Sequence, residues 1–275
     1  MSQPADESPQ RRAAREIVEK LQNLGYEALW VGGCVRDLLL GIEPDDYDVA
    51  TSATPEQIQS IFPQTVPVGA KFGVVLVVHR GTPVQVATFR SDEGYSDRRR
   101  PDAVRFCDAR SDSRRRDFTM NGLFMDPVTG RVDDYVGGVA DIRASIIRSI
   151  GDPDQRFRED ALRLLRAVRF ASSLGFTIEP ATWESLVRHA ALIREISAER
   201  IRDELIKGLT RPRPHVFLDL LDQSGLLEII LPEVAALKGC EQPPQFHPEG
   251  DVFVHTRLMF QHLKPNPSPA LAFAI

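Results

Sequence analysis

Cysteine is scarce in this chain. Cys34, Cys107 and Cys240 are far apart, odd in number and show no zinc-type spacing, so they read as reduced thiols rather than a disulfide framework or a metal knuckle. Long apolar runs are missing as well: none approaches the ~20 residues of a membrane span. The first fifteen residues are polar and carry acids, which is unlike a signal or transit peptide. A cytoplasmic protein with no membrane partner is the default reading. No internal repeat or low-complexity tract occurs. Lysine is the last shortage, 5 residues against 29 arginines. Net charge is −5, which by itself argues weakly against nucleic acid. The arginines nevertheless cluster at 98–100, 114–116 and 156–169. Their planar forks match phosphates and base edges, so an acidic average can hide basic tracks.

At 275 residues, with 42% apolar and 27% charged residues, the chain can bury a good core and predicts more than one domain. Residues 1–10 read as a disordered tail. Arg11 to Asn23 reads as an amphipathic helix, with Ala14, Ile17, Val18 and Leu21 at helical spacing and Gly25 as its stop. Ala28 to Val31 predicts a short strand running into a glycine turn, and Asp46 to Ala50 the next strand. A helix opens at Pro55 and runs to Ile61. Strands follow over Gly73 to His79 and Val84 to Phe89. Residues 91–116 are charged and aperiodic, and read as a loop around one short strand near Val104 to Phe106. Phe118 to Met125 fits helix or strand. After Gly151-Asp152-Pro153 the pattern turns helical: Glu159 to Leu174, Ala181 to Arg188, Ser197 to Leu209, Pro214 to Ser224 and Leu226 to Ile230. An α/β front of about 148 residues thus precedes an all-helical rear.

Two short strings carry the chemistry. Gly32-Gly33-Cys34-Val35-Arg36-Asp37 is a glycine turn leading into an arginine and an acid; glycine lets backbone N–H groups approach phosphate oxygens, and Arg36 adds charge near a helix start. Asp46-Tyr47-Asp48 sets two carboxylates two residues apart. On a strand their Cα atoms are roughly 6.5–7 Å apart and both side chains look one way. Such a pair can converge on divalent ions, and Mg2+ favours carboxylates combined with substrate phosphates. Each string alone also fits a plain turn with a solvated surface; their combination points to nucleotidyl transfer. Arg114-Arg115-Arg116-Asp117 precedes the apolar Phe118, and Arg116, nearest the ordered segment, is the candidate ligand for a triphosphate or an RNA end. Further on, Asp160, Arg163, Arg166 and Arg169 recur every three residues on the expected helix. Asp160 and Arg163 are then close enough to share one ligand, whereas Arg169 lies nearly opposite Asp160. A carboxylate accepting from an exocyclic amino group, with an arginine donating to a ring acceptor, suits cytosine and adenine and not uracil or guanine. An intrahelical ion pair is the plain alternative.

Taken together, Gly-Gly-x-Val-Arg-Asp at 32–37, Asp-x-Asp at 46–48, Arg-Arg-Asp-Phe-Thr at 115–119 and Glu-Asp-x-x-Arg at 159–163 resemble the bacterial-type (class II) CCA-adding tRNA nucleotidyltransferase and poly(A) polymerase family, of the polymerase-beta nucleotidyltransferase superfamily. The resemblance runs from about Ala28 to Leu209 and more weakly to His255. It implies an α+β fold: a polymerase-beta-like mixed-sheet nucleotidyltransferase head (11–148), an all-helical neck for base selection and RNA binding (149–210), and a partial helical body (211–275). It implies Mg2+ on Asp46 and Asp48 as catalytic acids, and nucleotide contacts from Gly32, Gly33, Arg36, Arg116, Asp160, Arg163, Arg166 and Arg169. The implied partners are CTP, ATP and the 3′ end of tRNA, and the implied reaction is addition of CMP and AMP with release of pyrophosphate. Oligomeric state stays open.

Within that family, Val66 to Gly73 looks like the CCA-adding type, and no Gly-Arg-Arg-Phe-Arg-Leu run typical of bacterial poly(A) polymerases is present. Glu93 to Asp102 looks like the loop associated with the switch from C to A, favouring full CCA or A-only addition over CC-only. A-adding or poly(A) activity, or a non-catalytic RNA-binding remnant, are the alternatives. Two departures stand out. Gln85 occupies a strand position where the family often has glutamate, so no third metal carboxylate is assigned. His255 resembles the first histidine of an HD module, but the sequence stops at Ile275 before any His-Asp pair, which reads as a truncated body.

Overall fold

The computed structural model describes residues 7–69, 72–94, 102–243, 245 and 248–275. It divides into two compact units, one of the described residues up to Ala144 and one over Ser145–Ile275. Residues 1–6, residues 70 and 71 of the Val66–Gly73 segment, and 95–101 within the Glu93–Asp102 segment lie outside the described residues.

The first unit is built on a mixed sheet. Its elements in chain order are α1 (Pro9–Asn23), β1 (Ala28–Val31), α2 (Gly33–Leu39), β2 (Val49–Thr51), α3 (Pro55–Ile61), β3 (Thr65–Gly69), β4 (Val74–His79), β5 (Thr82–Thr88), β6 (Arg90–Glu93), β7 (Ala103–Phe106), α4 (Ala109–Arg114), β8 (Leu123–Met125), β9 (Val132–Asp134) and α5 (Gly138–Ala144). Seven strands form one sheet in the order β3-β4-β5-β2-β1-β8-β9. β2 runs parallel to β5, with Val49 opposite Val86, and the other pairings are antiparallel. β1 is the keystone: all four residues are buried, and both its edges are paired. Its neighbours bring the glycine turn and the acid pair to the same end of the sheet.

α1 begins at Pro9, with the Ser8 hydroxyl accepting from the Arg11 N–H at 3.2 Å. The expected disordered tail through residue 10 is therefore too long: Pro at the first helical position and a serine cap start the helix earlier than the apolar spacing does. Ala14, Ile17, Val18 and Leu21 are buried as expected. Thr54 and Gln57 close a reciprocal capping box on α3. The described residues of 91–116, a segment read as a mobile loop around one short strand, hold more order than that. β6 and β7 form a two-stranded ribbon, and α4 follows, capped by Asp108. Phe118 to Met125 divides between the two readings it fitted, a 3-10 turn over Thr119–Asn121 and then β8.

The second unit contains α6 (Pro153–Glu159), α7 (Leu162–Leu174), α8 (Pro180–His189), α9 (Ala198–Thr210), α10 (Pro214–Gln223), α11 (Leu226–Ile230), α12 (Pro232–Ala235), α13 (Val252–His262) and α14 (Pro269–Phe273). It is helical but not wholly so. A short parallel pair, β10 (Ile146–Ile147) and β11 (Thr177–Ile178), stands beside α7. The helix expected over Glu159 to Leu174 is also interrupted. Asp160 adopts an extended backbone, φ −146° and ψ 102°, which ends α6 and starts α7. Gly175, at φ 73°, closes α7 as expected. Among the described residues no helix is long and apolar enough to cross a membrane.

Candidate functional site

β1 ends at Val31, and the chain reverses at Gly32 with φ 77° and ψ −124°. That backbone is open to glycine and strained for other residues. The Gly32 N–H donates to the Leu123 carbonyl at 3.0 Å, and its carbonyl accepts from the Arg36 N–H at 3.1 Å. Gly33, Cys34 and Val35 form the first turn of α2, where N–H groups have no acceptor one turn back. The space above Gly32 is already narrow, since an added Cβ would stand 3.3 Å from Nη1 of Arg116.

Asp46 and Asp48 precede β2, which begins at Val49, so the expected placement on the strand is off by the length of the motif. The ladder still reaches them, because the Val31 N–H donates to the Asp48 carbonyl at 3.0 Å. The alternation of a strand persists also. Tyr47 is buried against Trp30, ring centroids 4.7 Å apart, while Asp46 is exposed and Asp48 half-buried. Among the described residues neither carboxylate has a hydrogen-bond or ion-pair partner. Burial and the charge of Asp46 push the Asp48 carboxyl up to about 6, against the pull of Arg116. Burial and the charge of Asp48 push the Cys34 thiol up to about 12, so it is a protonated core group. Two like charges opposed by one counter-charge, that of Arg116, fit a divalent cation: a cation held by Asp46 and Asp48 would relieve both the burial cost and the repulsion. Among the described residues no third acidic, histidine or cysteine side chain joins them in a metal-type cluster. Gln85 precedes Val86, the partner of Val49, and is exposed.

The arginines divide by what they touch. Arg116 donates from Nε and Nη2 to the buried Asp112, leans over the Phe124 ring at 5.4 Å and turns Nη1 toward the Gly32 turn. Arg115 grips the other oxygen of Asp112 and the Arg90 carbonyl. Arg36 is buried: it pairs with Asp37 at 2.7 Å and donates Nη1 to the Asn121 side-chain carbonyl at 2.7 Å. Asn121 in turn donates to Asp117 at 3.0 Å. Arg36 therefore ties α2 to the Thr119–Asn121 turn.

In the second unit Asp160 and Arg163, expected on one continuous helix as neighbours able to share a ligand, each bond to other groups. The Arg163 N–H still donates to the Asp160 carbonyl at 3.1 Å across the break. Asp160 accepts from the Leu162 N–H on Oδ1 at 3.1 Å and from Arg200 on Oδ2 at 3.0 Å. Arg163 donates to Glu159 and to the Arg156 carbonyl, both at 3.0 Å. Arg166 and Arg169 lie over the Phe170 ring and face Glu204 on α9, at 4.0 and 2.5 Å. His255 pairs with Glu249. Asp112, Asn121, Arg200 and Glu204 were missed by the sequence reading, and Glu159 was noted only as part of the 159–163 motif, without a role. Asp112 to Arg115 and Arg116, and Glu159 to Arg163, sit at i+3 and i+4, a spacing that marks them in retrospect. Nothing local marks Arg200 or Glu204.

Comparison with known proteins agrees with this architecture. Residues 28–148 match the poly A polymerase head domain, and 175–238 match the probable RNA and SrmB-binding site of polymerase A. The CCA-adding enzyme of Geobacillus stearothermophilus is 48% identical over 219 residues, covering 79% of this chain and 54% of that protein. That of Lactobacillus johnsonii is 42% identical over 238 residues, covering 86% and 58%. The crystal structure of the Bacillus stearothermophilus CCA-adding enzyme in complex with CTP is similar with a TM-score of 0.73 at 45% identity, over 80% of this chain and 53% of that one. The Thermotoga maritima CCA-adding enzyme complexed with tRNA is similar with a TM-score of 0.67 at 25% identity, over 83% and 54%. The mixed sheet with its following helices is an α+β nucleotidyltransferase fold, and the chain belongs to the CCA-adding enzyme and poly(A) polymerase family. It spans about half the length of the curated relatives it matches.

Proposed function

We propose that this chain transfers CMP and AMP from CTP and ATP to the 3′ end of tRNA without a template, releasing pyrophosphate, with Mg2+ held by Asp46 and Asp48. The observation that carries this reading is the acid pair: two carboxylates without partners among the described residues, on either side of a buried tyrosine, with Arg116 and the Gly32 turn alongside. Family membership supports the same chemistry.

In this reading the terminal ribose 3′-oxygen attacks the α-phosphorus of the bound nucleotide. The new O–P bond forms as the bond to pyrophosphate breaks, and the hydroxyl proton leaves to solvent. Bound Mg2+ supplies positive charge that favours the attacking alkoxide and the departing pyrophosphate. Asp46 and Asp48 orient that charge. Arg116 and the amides that open α2 oppose the charge of the β- and γ-phosphates. Arg36 acts from beneath, holding α2 on the Thr119–Asn121 turn. Gly32 keeps the backbone clear of a Cβ where the phosphates approach.

Asp160 selects the base. A carboxylate offers about four acceptor positions. Leu162 and Arg200 occupy one on each oxygen, which leaves room for the amino group of cytosine or adenine. Arg163, Arg166 and Arg169 on α7 are the further candidate contacts to the nucleotide.

The test is a labelling reaction with the purified chain, tRNA lacking its last three nucleotides, Mg2+, and radiolabelled CTP with ATP. Addition of three nucleotides, lost in Asp46→Ala with the circular-dichroism spectrum unchanged, supports the proposal. Label entering from ATP alone into long tails points to poly(A) synthesis instead, and incorporation by Asp46→Ala at the wild-type rate contradicts the metal assignment.

A further inference from the structure

Asp112 on α4 is 1% exposed and belongs to none of the motifs that mark this chain. Its two oxygens serve two different arginines. Oδ1 accepts from Nε and Nη2 of Arg115 at 2.9 and 2.8 Å and from the backbone N–H of Arg90 at 3.1 Å. Oδ2 accepts from Nε and Nη2 of Arg116 at 3.0 and 2.9 Å. Burial alone would push this carboxyl up, but Arg116 and Arg115 outweigh it and hold it below the usual carboxylate range. It is therefore an anion at neutral pH, met by five N–H donors.

The consequence falls on Arg116. With Nε and Nη2 committed to Asp112, its orientation is fixed at the guanidinium rather than at the flexible stem. The remaining corner, Nη1, faces the Gly32 turn at 3.3 Å from where a Cβ would be, and the Phe124 ring supports the guanidinium 5.4 Å away. Its charge acts on Asp48 from this position. An arginine anchored in this way meets a phosphate with little rotamer freedom left to lose. The same carboxylate holds the root of the β6–β7 ribbon through Arg90 and Arg115, so Arg116 and the ribbon are fixed to one point.

We propose that Asp112 is a positioning residue for nucleotide binding: it holds Arg116 so that Nη1 is presented to the triphosphate above the Gly32 turn. This rests on the nucleotide-binding reading given above, and it adds a residue that touches no substrate itself. A purely structural role, tying α4 to β6, makes a different prediction about coupling.

The experiment is a four-cornered cycle on the full chain: wild type, Asp112→Asn, Arg116→Gln and the double variant, each titrated calorimetrically with CTP in the presence of Mn2+, and with CMP as a ligand lacking the β- and γ-phosphates. The expected result is a loss of CTP affinity of about tenfold for Asp112→Asn in the wild-type background and less than about twofold in the Arg116→Gln background. CMP binding changes less than CTP binding. Equal losses in the two backgrounds, or equal losses for CTP and CMP, overturn the proposal and leave a structural anchor. If Asp112→Asn fails to fold by circular dichroism, Asp112→Glu replaces it; that variant keeps the charge but moves the carboxylate by one methylene, and the same coupling is expected. A wild-type chain that binds no CTP overturns the nucleotide reading and this proposal with it, whereas a wild type that binds CTP with additive losses overturns this proposal alone.

Discussion

Asp48 is held where its charge is unwelcome, and that has a measurable signature. Burial and Asp46 raise its carboxyl from an ordinary 3.8 to about 6, while Arg116 pulls the other way. A carboxyl raised on folding favours the native state when protonated. Its contribution is fully present below the unfolded value and is lost as pH rises through the folded one. The metal-free chain is expected to lose up to about 3 kcal/mol on this account as pH rises from about 4 to about 6. Asp48→Asn should flatten that part of the profile, as read by urea melts at a series of pH values. A wild-type profile no steeper there than that of Asp48→Asn contradicts the assignment. The cation competes with the same proton, so divalent-ion affinity should fall as pH drops below about 6. The acid pair was legible in the sequence because i and i+2 alternate even in the extended residues ahead of β2, with Tyr47 as the inward member. Asp112 was not legible in that way. Residues 108–117 carry charge after charge with no apolar period, and only the fold decides which carboxylate goes inside.

At the level of elements, the turn at Gly32 and the break at Asp160 position the rest. Gly32→Ala forces a side chain onto φ 77° and sets a Cβ 3.3 Å from Arg116. A cost of about 1–3 kcal/mol is expected, together with weakened CTP binding; a variant with unaltered melting and affinity would contradict the geometry. The Asp160 break was hidden because Glu159 and Ala161 are good helix formers and the Leu162, Leu165, Val168 stripe runs on beyond them. What interrupts the helix is a local competition, in which the Asp160 side chain takes the Leu162 N–H. Asp160→Ala removes that acceptor and leaves Arg200 without its carboxylate, so a loss of about 1–2 kcal/mol is expected in thermal melts. Asp160→Asn keeps the acceptor and should fall between. In the labelling reaction Asp160→Ala should admit UTP more readily. Unchanged discrimination against UTP would separate the residue from base choice and leave it a cap.

For the whole molecule, the change from alternating to helical apolar patterning after Gly151 was readable, and the compact units meet between Ala144 and Ser145 along the chain. The β10–β11 pair was not readable. Two-residue strands carry no period, and Ile146-Ile147 and Thr177-Ile178 find each other only through the packing of α7. Order within 91–116 escaped for a related reason, since β6 and α4 are short, charged and fixed by the tertiary grip of Asp112. The arginine-rich composition has its own consequence: affinity for tRNA should fall steeply with salt, with a negative slope of log K against log salt, despite the acidic net charge. A salt-independent affinity in filter binding would mean that the arginines meet protein rather than phosphate.

The central claim is that Asp46 and Asp48 together hold a divalent ion against a nucleoside triphosphate. The most direct measurement is anomalous diffraction from crystals of this chain grown with CTP and Mn2+. The account predicts manganese density within coordinating distance of both carboxylates and of the triphosphate, with Arg116 beside the phosphates. Triphosphate bound with manganese away from the two carboxylates, or no triphosphate at the Gly32 turn, would contradict it.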